Sequence, residues 1–123
     1  MPRPQKKIWK DYLYKAIVMR VVDGDSFDID INLGFDTHAH QRIRLNAVDT
    51  PEITGKEKAK GLKVKKYVEG LILNKKVLIR TFRMGRYGRY ACEIFIEGDK
   101  KKPLSKHLIK KRMAKRMATR YQS

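Results

Sequence analysis

Carboxylates and arginines occur together in three short segments of this sequence, residues 22–26, 44–52 and 86–89. Within them lie the side chains best suited to chemistry, Asp25, Arg44, Asp49, Glu52 and Arg89. Hard divalent cations prefer carboxylate and carbonyl oxygens as ligands. Arginine donates two hydrogen bonds at once to a phosphate and keeps its charge. The two kinds of residue together predict a cation site that faces a phosphate group.

The net charge also favours a phosphate-bearing partner. The 123 residues contain 30 Lys and Arg against 13 Asp and Glu, a formal net charge of +17. Such an excess favours a polyanion, either nucleic acid or an anionic membrane surface. No run approaches the ~20 apolar residues of a membrane span, so membrane contact is expected only at the periphery, through the basic C-terminal segment.

Chain length and the N-terminal segment set the expected organisation. A chain of 123 residues suits one domain with one hydrophobic core. Residues 1–15 lack the apolar run, roughly 7 to 15 residues long, of a signal peptide. The sequence therefore predicts a cytoplasmic protein and leaves a secreted precursor open.

The cysteine and the histidines are predicted to be structural or surface residues. Cys92 lies in an apolar alternation, which favours a small buried hydrophobe over a catalytic thiol. His38, His40 and His107 lack other metal-binding residues in a recognisable spacing and are predicted to lie at the surface.

Hydrophobic periodicity predicts a mainly β protein with two helices. The strands are predicted at residues 13–22, 26–31, 42–50, 76–82 and 90–96, with a loop at 32–40, and the helices at 54–73 and from about 103 to 113. Three strands, a helix, two strands and a helix in this order suit a five-stranded OB-type barrel, an α+β fold. Such barrels commonly bind nucleic acid, but the fold alone does not establish cleavage.

Both predicted helices are amphipathic and rich in lysine. The apolar stripe of the first is predicted to contain Ala59, Leu62, Tyr67, Val68, Leu71 and Ile72, and its lysines to form a solvated face. Ser105 is the expected N-cap of the second. The polar face of the second carries Lys106, Lys110, Lys111, Lys115 and Arg116. These residues either form a solvated face or follow a phosphate backbone or an anionic surface.

The local pattern distinguishes Asp25 from the neighbouring acidic residues. Asp23 is predicted to be a turn residue of a hairpin, and Asp28 and Asp30 to be solvated strand residues. Asp25 is two residues before Phe27, so alternation along the second strand places it on the same face as the apolar residues. A carboxylate at the rim of the core requires a cation or hydrogen-bond donors, because unpaired burial is costly.

Pro51 predicts a fixed bend after the third strand. Proline lacks a backbone donor and forces the preceding residue, Thr50, into an extended conformation. The bend can bring the Asp49 carboxylate, the Thr50 carbonyl and the Glu52 carboxylate together. A D-x-x-E pair also occurs as a helix-start cap, and the local pattern leaves that alternative open.

In order and spacing, the three segments resemble the staphylococcal nuclease, or thermonuclease, family over residues 13–118. Residues 1–12 are then an N-terminal extension and residues 119–123 a tail. The resemblance implies one calcium ion held by Asp25, Asp49 and the Thr50 carbonyl, and a catalytic set of Arg44, Glu52 and Arg89. By the same resemblance, Glu52 would orient or deprotonate the attacking water, and the two arginines would grip the phosphate.

Two further residues and several departures follow from the resemblance. Arg86 and Tyr87 match positions that contact a terminal phosphate, although Tyr87 also suits a packing role in a turn. Ser26 stands where the family usually has threonine, and Arg112 where a glycine commonly interrupts the last helix. Residues 53–58 form a shorter loop than in the best-known member. The final helix and a clear base-stacking tyrosine are missing, and Tyr121 is a weak match.

The sequence thus predicts a calcium-dependent, sugar-nonspecific nuclease, a monomer that hydrolyses phosphodiester bonds of DNA and RNA and leaves a 3′-phosphate. The alternative is a non-catalytic, basic OB-type module that binds nucleic acid. A third hypothesis is an interaction protein, ribosome- or membrane-associated through its basic helices. Carboxylates that face a phosphate favour the nuclease, because a pure binder gains nothing from them.

Overall fold

The computed structural model describes residues 12–84 and 90–117, and its centre is a closed barrel. The elements are β1 (Tyr12–Asp23), β2 (Ser26–Asn32), β3 (His38–Leu45), β4 (Val48–Asp49), α1 (Lys58–Ile72), β5 (Lys76–Met84), β6 (Tyr90–Phe95), α2 (Leu104–Lys110) and β7 (Lys115–Arg116). The barrel order is β1-β2-β3-β6-β5, and β4 pairs with β7 in a separate two-stranded sheet. The barrel pairs are antiparallel except β3 with β6. The prediction of a five-stranded OB-type barrel with two helices is confirmed.

One hydrophobic core fills the barrel and extends under both helices. On β2, Phe27, Ile29 and Ile31 are buried, while Asp28 and Asp30 are only partly covered on the other face. Alternation of this kind follows from the two-residue period of a strand, and it allowed β2 to be predicted closely.

The third strand differs from its prediction at both ends. It begins at His38, inside the predicted loop, and ends at Leu45, well before Pro51. Ala47 does not continue the strand, because its φ of 64° makes a turn into the short strand β4. The backbone N–H of Asn46 donates to the carbonyl of Cys92 at 2.9 Å, so the turn is anchored to β6.

The first helix confirms four residues of the predicted apolar stripe and contradicts two. Val68 and Ile72 are buried, and Tyr67 and Leu71 are partly buried against the core. Its buried residues are Gly61, Val64, Val68 and Ile72, whereas Ala59 and Leu62 are exposed, contrary to the prediction. The helix is preceded by a 3-10 turn at Gly55–Glu57. A hydrophobic pattern does not identify Gly61 as a contact residue, because glycine has no side chain and packs through its backbone.

The second helix ends in a tight turn that returns the chain to the barrel. Arg112 takes the glycine position of this turn, with a φ of 59°. Its N–H donates to the Ile109 carbonyl at 3.0 Å, and the Met113 N–H donates to the Leu108 carbonyl at 2.9 Å, the pattern of a Schellman cap. The chain then forms β7, which pairs with β4 and was not predicted.

Ser105 does not cap this helix. Pro103 occupies the N-cap position and Ser105 lies inside the helix, buried. Its hydroxyl donates to the carboxylate of Glu93 on β6, and its backbone N–H donates to the same carboxylate at 3.3 Å. Ser105 therefore fastens α2 to the barrel.

Candidate metal and phosphate site

Asp25, Arg44 and Asp49 converge in the structure. Nη2 of Arg44 lies 3.4 Å from Oδ2 of Asp25 and 3.4 Å from Oδ1 of Asp49. The two carboxylate oxygens are therefore no more than twice that distance apart, with a positive charge between them. They open into a pocket of about 310 Å³, lined by Asp23, Asp25, Ser26, Arg44, Asp49, Thr50, Pro51, Glu52, Ile53 and Thr54.

Backbone contacts hold Asp25 in place. The hairpin turn between β1 and β2 directs its N–H to Oδ1 of Asp23 at 3.0 Å, which confirms Asp23 as a turn residue. The N–H of Leu45 donates to the Asp25 carbonyl at 2.7 Å. The N–H of Thr50 donates to Oδ2 of Asp25 at 3.1 Å, so the bend before Pro51 is bonded directly to the side chain.

Gly24 permits this close packing. A Cβ atom at position 24 would lie 2.7 Å from the Val64 side chain and 2.8 Å from Oγ1 of Thr50. A Cβ atom does not make contacts that short, so the hairpin can approach α1 and Thr50 this closely only with glycine here.

Asp25 lies in an environment that disfavours its charge. It is 6% exposed, and burial is the main reason that its pKa is raised to about 7. The neighbouring Asp23 carboxyl raises it further, whereas the Thr50 N–H and the Arg44 guanidinium lower it. A bound cation would favour the ionised form, because an opposite charge nearby offsets the cost of burial.

The oxygen atoms around Asp25 and Asp49 suit a hard cation. Both side chains are carboxylates, and Oγ1 of Thr50 is buried without a hydrogen-bond partner in the described structure. Within residues 12–84 and 90–117, no three His, Cys, Asp or Glu side chains converge as a full ligand set. A cation here would add carbonyl and water oxygens to the two carboxylates, which is the usual chemistry of calcium and magnesium.

Glu52 lines the same pocket from the bend that follows β4, and its side chain is exposed. Its backbone lies against α1, because a Cβ atom at Gly61 would lie 2.0 Å from the Glu52 carbonyl oxygen. Neither Asp49 nor Glu52 caps a helix, since the N-cap positions belong to Thr54 and Glu57. The helix-cap alternative is therefore wrong.

The model of the staphylococcal nuclease homologue family matches residues 42–123, two thirds of the chain. This chain belongs to the staphylococcal nuclease family. No curated protein matches it. Membership in the staphylococcal nuclease family supports cleavage or binding of nucleic acid through an OB-type barrel. The match begins at Arg42 and so includes Arg44, Asp49 and Glu52, while the position of Asp25 beside them comes from the structure.

Three predicted site residues of this staphylococcal nuclease family member, Arg86, Tyr87 and Arg89, lie outside the described residues, as does Tyr121. Their roles stay predictions.

Two residues near the candidate site were not predicted from the sequence, and both come from the last described segment of the chain. Lys115 pairs with Asp49 across β4 and β7, and Sδ of Met117 lies 3.7 Å from Nη2 of Arg44. No local pattern signals these contacts.

The histidine and cysteine predictions have mixed outcomes. His38 and His40 lie at the surface as predicted, but both approach Oδ1 of Asp30, at 3.1 and 3.5 Å. His107 is half-buried, contrary to prediction, with its Nε2 2.7 Å from the Tyr67 hydroxyl. Cys92 is buried as predicted, and burial raises the pKa of its thiol to about 12.

Proposed function

We propose that this protein is a calcium-dependent, sugar-nonspecific nuclease that hydrolyses phosphodiester bonds of DNA and RNA and leaves a 3′-phosphate. The observation that carries the proposal is Nη2 of Arg44 at 3.4 Å from both Asp25 and Asp49, inside a pocket that Glu52 also lines. The arrangement combines two carboxylates for a cation, a guanidinium for a phosphate and an exposed acidic group for a water molecule.

Asp25 and Asp49, with the carbonyl of Thr50, are the residues that would hold one calcium ion. When bound, the ion would neutralise charge on the phosphoryl oxygens and orient the substrate. The Thr50 N–H fixes one Asp25 oxygen, and β7 fixes the strand that carries Asp49. These contacts hold the Asp25 side chain and the backbone of Asp49 before a substrate arrives, which would reduce the reorganisation that the reaction requires.

Arg44 has donors left for a phosphate. Its described hydrogen bonds to the two carboxylates both use Nη2, and a guanidinium carries five N–H donors. Its side chain is 34% exposed and lines the pocket. Arg44 can therefore keep its carboxylate contacts and still donate to a phosphoryl oxygen. Arg89 is proposed as the second phosphate ligand from the sequence resemblance.

Glu52 is the proposed water-handling residue. It is exposed and lines the pocket, so its carboxylate can accept a proton from water or hold water in place for attack. The close contact between the Glu52 backbone and Gly61 holds the backbone that carries this side chain.

The non-catalytic binding module is the main competing function. A binder of polyanions has no use for Asp25, since a carboxylate that is 6% exposed costs stability and repels phosphate. The nuclease accounts for this residue, whereas the binder does not.

The test is cleavage of labelled DNA and RNA with calcium, and with a chelator as control. The wild type should cut only with calcium, and Glu52→Gln should slow turnover by roughly 10²–10⁴-fold while binding persists. Glu57→Gln is the matched control, because it removes the same charge from an exposed position in the adjacent turn. Equal rates for the two variants, or no calcium-dependent cleavage by the wild type, would refute the nuclease proposal.

A second pair of variants tests the metal ligands. Asp25→Asn should weaken calcium binding, so that added calcium partly restores the rate. Asp36→Asn removes the same charge from an exposed loop with a left-handed backbone that asparagine tolerates. If both bind calcium like the wild type, Asp25 is not a ligand.

A further inference from the structure

Four lysines surround a second concave surface, away from the candidate site. Lys101 and Lys102 lie on the loop before α2, and Lys106 and Lys110 lie one turn apart on the helix. They border a pocket of about 410 Å³ that shares no lining residue with the candidate site. Glu97 pairs with Lys102 at 3.4 Å, and in the part of the chain that the structure describes no carboxylate pairs with the other three.

This cationic surface is built on a rigid support. Leu104 and Leu108 of α2 are fully buried in the core. The rings of Tyr67 and His107 stack with centroids 5.9 Å apart and join α2 to α1. Burial first, and then the charges of Lys111 and Lys110, lowers the pKa of His107.

The cations continue from α2 towards the candidate site. After Lys110 the chain turns at Arg112 and enters β7, where Lys115 pairs with Asp49. Both residues of β7 are exposed. On the barrel, Phe95 bridges to Pro103 at the start of α2, and Ala91 pairs with Arg44. Four residue steps along β6 separate Ala91 from Phe95, roughly 13 Å at 3.3 Å per step.

We infer that these cations form a second nucleic-acid-binding surface, which holds the phosphate backbone of the substrate outside the catalytic pocket. It is here named the basic track and consists of Lys101, Lys106, Lys110, Lys115 and Arg116. The inference rests on the proposed function for the identity of the polyanion. The track follows one continuous segment of chain into the site.

A membrane surface fits this region less well. Interfacial helices insert large apolar side chains beside their basic residues. None of the exposed large apolar side chains in the described structure lies on α2 or on the loop before it, and Ile96 in the pocket is 7% exposed. Along α2 and the loop before it, the track therefore offers charge without an inserting face, and in the described structure Met117, which follows Arg116, is the exposed large apolar side chain next to it.

The experiment measures binding without chemistry. Fluorescence anisotropy in chelator, with a labelled duplex of about 20 base pairs, roughly 70 Å long at 3.4 Å per step, gives the affinity at several salt concentrations. The variant is Lys106→Gln with Lys110→Gln. The matched control is Lys15→Gln with Lys76→Gln, which removes the same charge from exposed positions on β1 and β5.

The track variant should reduce the slope of log affinity against log salt by about 0.9 for each lost phosphate contact, so by about 1.8 in all. The control should change the slope much less. Binding of a dinucleotide, too short to reach the track from the site, should be the same in both variants. Equal losses of slope in the two double variants would overturn the inference, because the lysines would then act only through net charge.

Two further outcomes separate the possibilities. Glu52 is intact in these proteins, so a slope difference in chelator, together with no cleavage by the same proteins once calcium is supplied, would refute the nuclease and keep the basic track. Sedimentation with anionic vesicles provides the other arm. If the track variant loses vesicle binding while its duplex binding matches the control, the track serves a membrane and the inference is wrong.

Discussion

Gly61→Ala tests whether α1 positions Glu52. A Cβ atom at position 61 would lie 2.0 Å from the Glu52 carbonyl oxygen, 2.4 Å from its carbonyl carbon and 2.9 Å from the Ile53 nitrogen. All three atoms are backbone, so no side-chain rotation can relieve the contact. The bend that carries Glu52 must move away from the helix.

Gly70 provides the reference for the size of the effect, because a Cβ atom there meets nothing within 4 Å. Gly70→Ala should stabilise the protein by about 1 kcal/mol through helix propensity. Gly61→Ala gains the same propensity and incurs an overpacking cost of about 1–3 kcal/mol. The difference between the two variants cancels the propensity and isolates the contact with Glu52. It should be about 1–3 kcal/mol.

The catalytic effect should be larger than the stability effect. Ordinary contact begins at 3.4 Å, so the carbonyl must retreat substantially from 2.0 Å. A shift of about 1 Å in a catalytic group can reduce the rate by about 10²-fold. Urea unfolding measures the stability difference, and calcium-dependent cleavage measures the rate. If Gly61→Ala matches Gly70→Ala in both assays, the helix does not position Glu52.

Three other predictions concern the last helix and the buried groups beneath it. Arg112→Gly should stabilise the protein by about 1 kcal/mol in urea unfolding, because φ at Arg112 is 59° and glycine adopts this conformation without steric cost. Lys111→Gly is the control and should destabilise the protein, because φ at Lys111 is −80°. Cys92 should resist a thiol reagent in the folded protein and react on unfolding, because its thiol is buried and its pKa is about 12; rapid labelling under native conditions would contradict this. Burial raises the pKa of Glu93 above its ordinary value of 4.5, so the folded state holds the proton more tightly than the unfolded chain. Relative to Glu93→Gln, the wild type should be most stable below that value and lose stability as pH rises through the raised pKa, as urea unfolding at a series of pH values would show.

Local periodicity predicted those parts of the fold that depend on side-chain burial. The alternation on β2 gave the strand nearly to the residue, and the parity of Asp25 placed it at the rim of the core, where the structure has it. Arg44 and Asp49 were associated with Asp25 through the resemblance of the three segments to the staphylococcal nuclease family, and the structure brings these three side chains together.

The errors arise where backbone contacts or distant pairings decide the structure. Ala59 and Leu62 are hydrophobic yet exposed, since the first half of α1 approaches the barrel through Gly61 and Val64 instead. Ser105 looked like a cap, but a buried carboxylate on β6 takes its hydroxyl. β7 has only two residues and no periodicity, so only its pairing with β4 defines it.

The pairing of β4 with β7 also separates the closure of the barrel from the completion of the candidate site. The barrel closes through β1, β2, β3, β5 and β6, all of which precede α2 in the chain. The strand that carries Asp49 is instead paired with β7, and the carbonyl of Ala47 accepts a hydrogen bond from the Met117 N–H at 2.9 Å. The position of Asp49 therefore depends on a segment that the barrel does not need for its own closure, so the site can loosen while the barrel stays closed.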